Sequence, residues 1–548
     1  MRTSVGIGLL LLGVMVPVLT ADAQERQRAT PQRAQLRAVE TTQPTLRDAL
    51  ADESVRAALS THVRRLDMDR LAAQYDAASI GPLIEGTSDD APLRRMRLLN
   101  DSQLEELGNV RRRSLRSRAD TSTTSRVARV ENIGPVAVPN AGNARSVVRR
   151  SVTPPSRVGD ITTPPPGPTP PGSSRGDIAN PAPGPTRPPR SNVGDLAAPP
   201  QPYLDVQGFA DDLHAALQNS VVGYEMRMRR NDQTIYTLQW NWAQNPADDG
   251  LAWSQNRRMH IVSMSKFITM MGLTRLLDAN NIDFDDSIAP YLPDYWQQGP
   301  GVQNVTFADL MNHQSGFDTN GSSDGSFALM KAQVAAGASN PGTNSGYENM
   351  NFALCRILIA TIGNYIDTSA QFGDFNDMMW DMTTIGAYTD YIESNVFAPA
   401  GVNGPTLGNP SNGARAYQWN DNNAGWDSGN LMGQAGGVAW HMSPDELLSV
   451  IGTFRRGGNI VSQARAREVF DASYGLNSSP NGNSSDAGRY YFKPGKWTNG
   501  SSQTEQGLLM ILPEQIEVVI FVSSQIGPGD QSLQTLGATI YENNIIVP

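Results

Sequence analysis

The sequence predicts an α/β (α+β) body over residues 203–548 whose two ends pair in one sheet, and three observations carry that prediction. Two strand-like runs, 221–229 and 234–242, flank the turn signal Asn231-Asp232 and read as a hairpin. Two further runs, 507–512 and 516–523, flank Pro513-Glu514 near the C-terminus. Between the pairs lies helical material, with a long apolar helix expected at 263–277, and a last helix is expected near 532–541.

Taken in order, the chain opens with Met1-Arg2, an apolar run to Leu19 and then Ala21-Asp22-Ala23. These are the charged, apolar and small-residue zones of a secretory signal peptide, 1–23, cleaved after Ala23. The alternative, an uncleaved anchor helix, has a short apolar run for spanning a bilayer. No later stretch approaches the ~18 apolar residues of a membrane span, so the expectation is a periplasmic or secreted protein with no transmembrane span after cleavage. Residues 24–150 are rich in Arg, Gln, Ala and Thr, with helical periodicity over 46–71 and 93–107 but few aromatics, and read as a basic, mostly disordered arm carrying short helices. Residues 151–202 form a linker, since 16 prolines between 152 and 202 favour extended polyproline conformations. Gly159-Asp160-Ile161, Gly176-Asp177-Ile178 and Gly194-Asp195-Leu196 recur within it, a period too short for a solenoid. Arg175-Gly176-Asp177 spells an adhesion tripeptide but belongs to this repeat. Residues 203–548 hold all nine tryptophans and form one globular unit.

Charge follows the same division. Residues 1–200 carry 27 Arg, no Lys and 20 Asp or Glu, a charge of +7, while 201–548 carry −17 within a net of −10. The basic arm is therefore a candidate ligand for an anionic envelope polymer, with a solvated leader as the plainer alternative. A single cysteine, Cys355, excludes an intramolecular disulfide framework and a Cys-based zinc site, and five histidines without an H-E-x-x-H leave little for a metal. Of 44 basic residues only Lys266, Lys331, Lys493 and Lys496 are lysines. An amine can serve as a base on burial whereas guanidinium stays protonated, so those four positions deserve separate scrutiny.

Ser263-Met264-Ser265-Lys266 sits where the segment 258–262 gives way to the apolar helix. Residues three apart share a helix face, so the Ser263 hydroxyl can meet the Lys266 amine while backbone N–H groups point at a developing oxyanion. A helix cap with a snorkelling lysine is the alternative. Tyr347-Glu348-Asn349 precedes an apolar helix, 352–362; a phenol beside an ammonium can accept a proton, and the Asn349 amide can orient a substrate carbonyl or the lysine. A second copy, Tyr541-Glu542-Asn543, ends the last helix and reads as structural. Lys493-Pro494-Gly495 precedes the terminal strands, where glycine would admit a ligand close to a strand edge beside a cation. Lys496 offers a competing register, and an exposed turn is the alternative.

With S-x-x-K, Y-x-N and K-x-G in that order, the region resembles the serine beta-lactamase and penicillin-binding protein superfamily, most closely its class C, D-alanyl-D-alanine carboxypeptidase and esterase branch. Ile282-Asp283-Phe284-Asp285-Asp286 with Tyr291-Leu292-Pro293 is similar to the segment after the nucleophile helix, and Val305-Thr306 through Leu310 to His313-Gln314-Ser315-Gly316-Phe317 is similar to the "LLxHxSG" stretch. Pro341-Gly342, and Ala435-Gly436-Gly437-Val438 before Ser443-Pro444-Asp445, also match in order. The resemblance covers 203–548 and leaves out the arm. It implies an antiparallel sheet flanked by helices plus a helical subdomain. Ser263 becomes the acylated nucleophile, Lys266 and Tyr347 the proton-shuttling pair, and Asn349, Lys493 and Gly495 substrate-binding positions. The oxyanion would rest on N–H groups of Ser263 and of a residue near Lys496. His313 and Ser315 are implied to be a structural turn. Glu348 and Pro494 depart from the usual middle residues of their motifs.

These readings predict an exported serine hydrolase working through a covalent acyl-enzyme on an ester, amide or beta-lactam carbonyl, small or peptidoglycan-type, without metal, cofactor or nucleic acid. The reading from another class is a catalytically inactive envelope-binding module anchored by the basic arm.

Overall fold

The computed structural model describes residues 46–66 and 201–548, apart from 321, 323, 344 and 345. The expected signal peptide, most of the arm, the linker and its repeats lie outside the described residues.

Strands β1 (Tyr203–Leu204), β2 (Gly223–Arg230), β3 (Gln233–Gln244), β4 (Leu251–Ala252), β5 (Met259–His260), β6 (His441–Met442), β7 (Asn483–Ser485), β8 (Gly488–Thr498), β9 (Thr504–Leu512), β10 (Ile516–Val522) and β11 (Ile545–Ile546) form the sheets. The main one is antiparallel, in the order β4-β3-β2-β10-β9-β8-β7. Both expected hairpins are present. Asn231 and Asp232 take φ of +49° and +65°, the left-handed pair that a tight two-residue hairpin requires and that these two residue types tolerate. β2 and β10 lie side by side from Tyr224↔Val522 to Arg230↔Ile516, so the ends of the body pair in one sheet as expected.

The helices are α1 (Leu46–Ala51), α2 (Glu53–His62), α3 (Val206–Leu217), α4 (Ser265–Asn280), α5 (Phe307–Met311), α6 (Phe327–Ala336), α7 (Asn349–Ile362), α8 (Asn376–Ile392), α9 (Pro444–Gly452), α10 (Gln463–Ala472) and α11 (Leu533–Asn543). Successive side chains of a strand face opposite sides, which gives the sheet two apolar faces. Leu508, Met510, Val518 and Ile520 pack with Phe209 and Leu213 of α3 and Leu536 and Ile540 of α11. Leu509, Ile511, Val519 and Phe521 join the larger core containing α4, α7 and α8. α4 is apolar almost all round and correspondingly buried. Arg356 of α7 is fully buried and paired with Asp381 of α8, with its other nitrogen donating to Gly433 O at 2.8 Å.

One expectation needs correction. The apolar helix begins at Ser265, because Val262–Met264 form a 3-10 turn, so Ser263 lies in that turn rather than in α4. Lys493-Pro494-Gly495 precedes the two terminal strands as expected and lies in a further strand, β8. The arm's helical periodicity over 46–71 corresponds to two short helices among the described residues, and these pack on the body: Ala49, Val55 and Leu59 are buried in the larger core.

Candidate active site

The approach to Ser263 is held from several sides. β5 pairs with β6 through Met259↔Met442 and His260↔His441, and Ile261 N donates to Trp440 O at 2.9 Å. Val262 then adopts φ +48°, a conformation β-branched residues rarely take, and its fully buried side chain holds it there. The segment Gly436–Trp440 lays polar backbone groups along the start of α4. Gly436 O accepts from Thr269 Oγ1 at 2.7 Å, Gly437 O from Lys266 Nζ at 3.2 Å, and Trp440 N donates to Ser265 Oγ at 3.1 Å.

Lys266 is fully buried, and its ammonium meets three acceptors: Ser263 Oγ at 3.1 Å, Asn349 Oδ1 at 2.7 Å and Gly437 O. That number matches the donors of an ammonium. Of the two roles left open for Asn349, its amide oxygen faces the lysine. Tyr347 donates its hydroxyl to Ser263 Oγ at 2.9 Å. Its ring lies 4.9 Å from Lys266 Nζ, 5.3 Å from Lys493 Nζ and 4.1 Å, centre to centre, from the His313 ring. The imidazole Nδ1 of His313 accepts from Glu348 N at 3.2 Å, and burial, with the Lys493 and Lys266 charges, holds its pKa well below the ordinary histidine value. The Glu348 carboxylate turns to Thr319, accepting from its hydroxyl and N–H, so the departure in the second motif anchors a neighbouring loop.

Strand alternation settles the geometry of the third motif. Lys493 shares a face with Gly495 and packs beside Tyr347, with Nζ donating to Asn477 Oδ1 at 2.6 Å. Lys496 points to the opposite face and pairs with Asp530 at 2.8 Å; burial lowers its pKa and the carboxylate opposes that shift. The backbone follows the same alternation. Phe492 N donates to Ser478 Oγ and Phe492 O accepts from Asn477 N, both outside the β8–β9 ladder, so Pro494 and the Lys496 N–H share that open edge. Proline is tolerated there because an edge position needs no donor to the ladder. Gly495 is required by proximity: a Cβ on it would lie 2.5 Å from Ile261 O and 3.2 Å from Ser263 N. Gly507 sits directly opposite Gly495 in β9, and together they hollow the sheet beneath the Ser263 turn.

The structure thus gathers Ser263, Lys266, Tyr347, Asn349, Lys493 and Gly495 and leaves the Lys496 side chain outside. The second Tyr-Glu-Asn is remote and structural, with Tyr541 OH against Ser485 and Glu542 accepting from Tyr490 OH. Sequence reasoning missed Asn477, Gly507 and the His313–Tyr347 stacking, each of which depends on register or loop path. It also missed a buried pair behind the site. His260 Nδ1 lies 2.7 Å from Glu505 Oε1, its Nε2 rests on Val438 O, and its ring stacks on His441. Burial holds the imidazole down to about 3 and raises the carboxyl well above its usual range. No cluster of three metal-ligating side chains occurs among the described residues, nor any helix there long and apolar enough to cross a membrane.

Residues 206–540 match the Beta-lactamase family, and the chain belongs to that family. Its structure is similar to that of FmtA from Staphylococcus aureus, at 15% identity over 62% of this chain and 87% of that one, TM-score 0.46. It is similar also to the D-amino acid amidase from Ochrobactrum anthropi, at 18% identity over 62% and 95%, TM-score 0.45. A third is the penicillin-binding protein homologue from Pyrococcus abyssi, at 14% over 61% and 74%, TM-score 0.44. Membership in the family supports serine hydrolase chemistry in general.

Proposed function

We propose that the chain is an exported serine hydrolase that opens an ester, amide or beta-lactam carbonyl through an acyl-enzyme on Ser263. The observation that carries this reading is the Ser263 hydroxyl held at once by Lys266 Nζ, 3.1 Å away, and Tyr347 OH, 2.9 Å away. With the Lys266–Tyr347 pair one proton short, as ammonium with phenolate or free amine with phenol, Ser263 Oγ attacks the carbonyl carbon and its proton passes to the vacant position on that pair. The tetrahedral oxyanion rests on the N–H groups of Ser263 and Lys496, the latter on the open edge of β8. Tyr347 returns the proton to the leaving group, and the bond to it breaks. Water, deprotonated by the same pair, then releases the acid. Asn349 and Gly437 O orient the lysine, and Lys493 sets the charge around the phenol. Export rests on the charged, apolar and small-residue zones of 1–23.

Intact-mass spectrometry of the whole chain tests the reading, after incubation with a fluorophosphonate and separately with a penicillin, beside Ser263→Ala. An adduct lost in the variant supports it, and a persistent penicilloyl mass narrows the class toward slow deacylation. No adduct with either probe, on a folded chain, refutes it and returns the binding-module alternative.

A further inference from the structure

We propose that residues 46–66 are a docking peptide for the hydrolase body of their own chain, seated at the C-terminal end of α7, so that the chain between 66 and 201 is tied to the body at both ends. Three independent kinds of contact coincide there. The first is apolar: Val55 and Leu59, one helical turn apart on α2, are buried with Ala49 of α1, and Leu50, Ala58, Val63 and Leu66 pack partly against the same core. The second is backbone pairing. Val63 bridges Ile366 in antiparallel fashion, Arg64 N donates to Tyr365 O at 2.8 Å, and Asp367 N donates to His62 O at 3.1 Å. The third is polar and aimed at a helix end. Arg65 donates to Gly363 O at 3.2 Å and Arg64 to Asn364 Oδ1 at 2.9 Å, while the Arg65 guanidinium lies 6.0 Å from the centre of the Tyr365 ring. Gly363 caps α7, where carbonyls lack intrahelical partners and the helix dipole favours a cation.

The segment carries its own punctuation. Asp52 caps α2 by accepting from Ser54 N at 2.8 Å and Val55 N at 3.3 Å, and the helix gives way to an extended Val63, the residue that makes the bridge. A helix of ten residues is marginal in water by itself, so its order depends on the surface it meets. Residues 46–66 carry four Arg against three acidic residues, a net of +1, so the attachment rests on the apolar, backbone and helix-end contacts rather than on bulk charge. The dock is at the opposite end of α7 from Asn349, about 20 Å away at 1.5 Å per residue, and so is separate from the catalytic constellation. It stands whether or not Ser263 is a nucleophile.

A disulfide trap tests the proposal. Antiparallel partners have Cα atoms about 4.5–5.5 Å apart, within the range a disulfide spans. The full chain carrying Val63→Cys and Ile366→Cys should therefore lose both introduced thiols under mild oxidation, and Cys355 is too buried to compete. The product should keep the mass of one chain, and after proteolytic cleavage between 67 and 200 its two fragments should stay joined until reduced. Adding Val55→Asp and Leu59→Asp should abolish the crosslink, and each single-cysteine variant should show none. Failure of the double variant to crosslink on a folded body overturns the proposal. So does a crosslink at twice the chain mass, which would seat the segment on a second copy.

Discussion

Placing one methyl group on Gly495 should separate the catalytic edge from the nucleophile. In Gly495→Ala the new Cβ would lie 2.5 Å from Ile261 O, 3.0 Å from Val262 Cβ and 3.2 Å from Ser263 N. Carbon–oxygen contacts are comfortable from about 3.3 Å, so the gap must open by roughly 0.8 Å. Neither side yields easily. β8 is paired with β9 along its length, and the opposing turn is pinned by the Ile261–Trp440 hydrogen bond and the buried, left-handed Val262. The displacement therefore falls between Ser263 N–H and Lys496 N–H. A misplacement near 1 Å costs about 100-fold in rate, equivalent to about 2.7 kcal/mol of transition-state stabilisation. Overpacking should also lower stability by about 1–3 kcal/mol. Gly507→Ala is the matched control: its Cβ meets Met264 Cε, the far end of a flexible side chain that can turn away. The assay is the time course of fluorophosphonate incorporation by mass, with kcat and KM on a chromogenic ester. Gly495→Ala should acylate about 100-fold more slowly, mainly through kcat, while Gly507→Ala stays within a few-fold of the parent. A Gly495→Ala protein with native melting and unchanged acylation would refute the argument that this approach forms the oxyanion cradle.

Three further outcomes are expected. Glu225 is fully buried, and burial raises its carboxyl to about 7 from 4.5, with Gln239 and Arg227 opposing the shift. The folded state thus holds the proton more tightly than the unfolded one, so stability is full below about pH 4.5, falls as pH rises to about 7 and then levels, by at most about 3 kcal/mol. Glu225→Gln should flatten that fall in denaturant titrations at pH 5 and pH 8; an equal gain at both would contradict it. Lys493→Met should lower kcat/KM by about 100-fold or more, whereas Lys496→Met, which removes only the pair with Asp530, should lower melting with kcat/KM near parental; reversed effects would put the third motif in the other register. Behind the site, Val438 O can only accept, so His260 Nε2 carries a hydrogen, and a neutral ring then takes its Nδ1 hydrogen bond from a protonated Glu505. Glu505→Gln, which can still donate, should keep melting close to the parent, and Glu505→Ala should lose about 3 kcal/mol; equal losses in thermal unfolding would instead indicate an ion pair.

The legible parts of this chain are those written in local pattern. Both hairpins and the last helix fall near their expected positions because turn residues and hydrophobic period act over a few positions. Ser263 and Lys266 are three apart, and Tyr347 and Asn349 flank a helix start, so local spacing brings each pair into reach. What sequence withheld is register and return path. Whether Lys493 or Lys496 faces the serine depends on which side of β8 meets α4, and Gly507 matters only because it is paired with Gly495. Glu505 lies more than 200 residues from His260, and no local spacing announces their contact. The short helices of 46–66 were legible in their periodicity, but their packing was not, because their composition lacks a core of its own and the core they join is supplied by the body.

The positions around Ser263 also explain why so polar a site survives inside so apolar a core. A buried lysine is tolerated only when each donor has an acceptor, and the three acceptors come from three segments: the serine turn, the start of α7 and the Gly436–Trp440 loop. The same loop offers Val438 O to His260 and Trp440 O to Ile261 N, so it supports the nucleophile from behind as well as the lysine from the side. Gly436 has φ +91°, and a Cβ there would lie 2.4 Å from Phe352 O; only glycine lets this loop pass α7 closely enough to reach the lysine. Substituting Gly436 should therefore disturb the lysine's acceptors without touching the side chains of Ser263, Lys266 or Tyr347. The proposed mechanism therefore draws on backbone carbonyls as much as on the residues that a motif search finds.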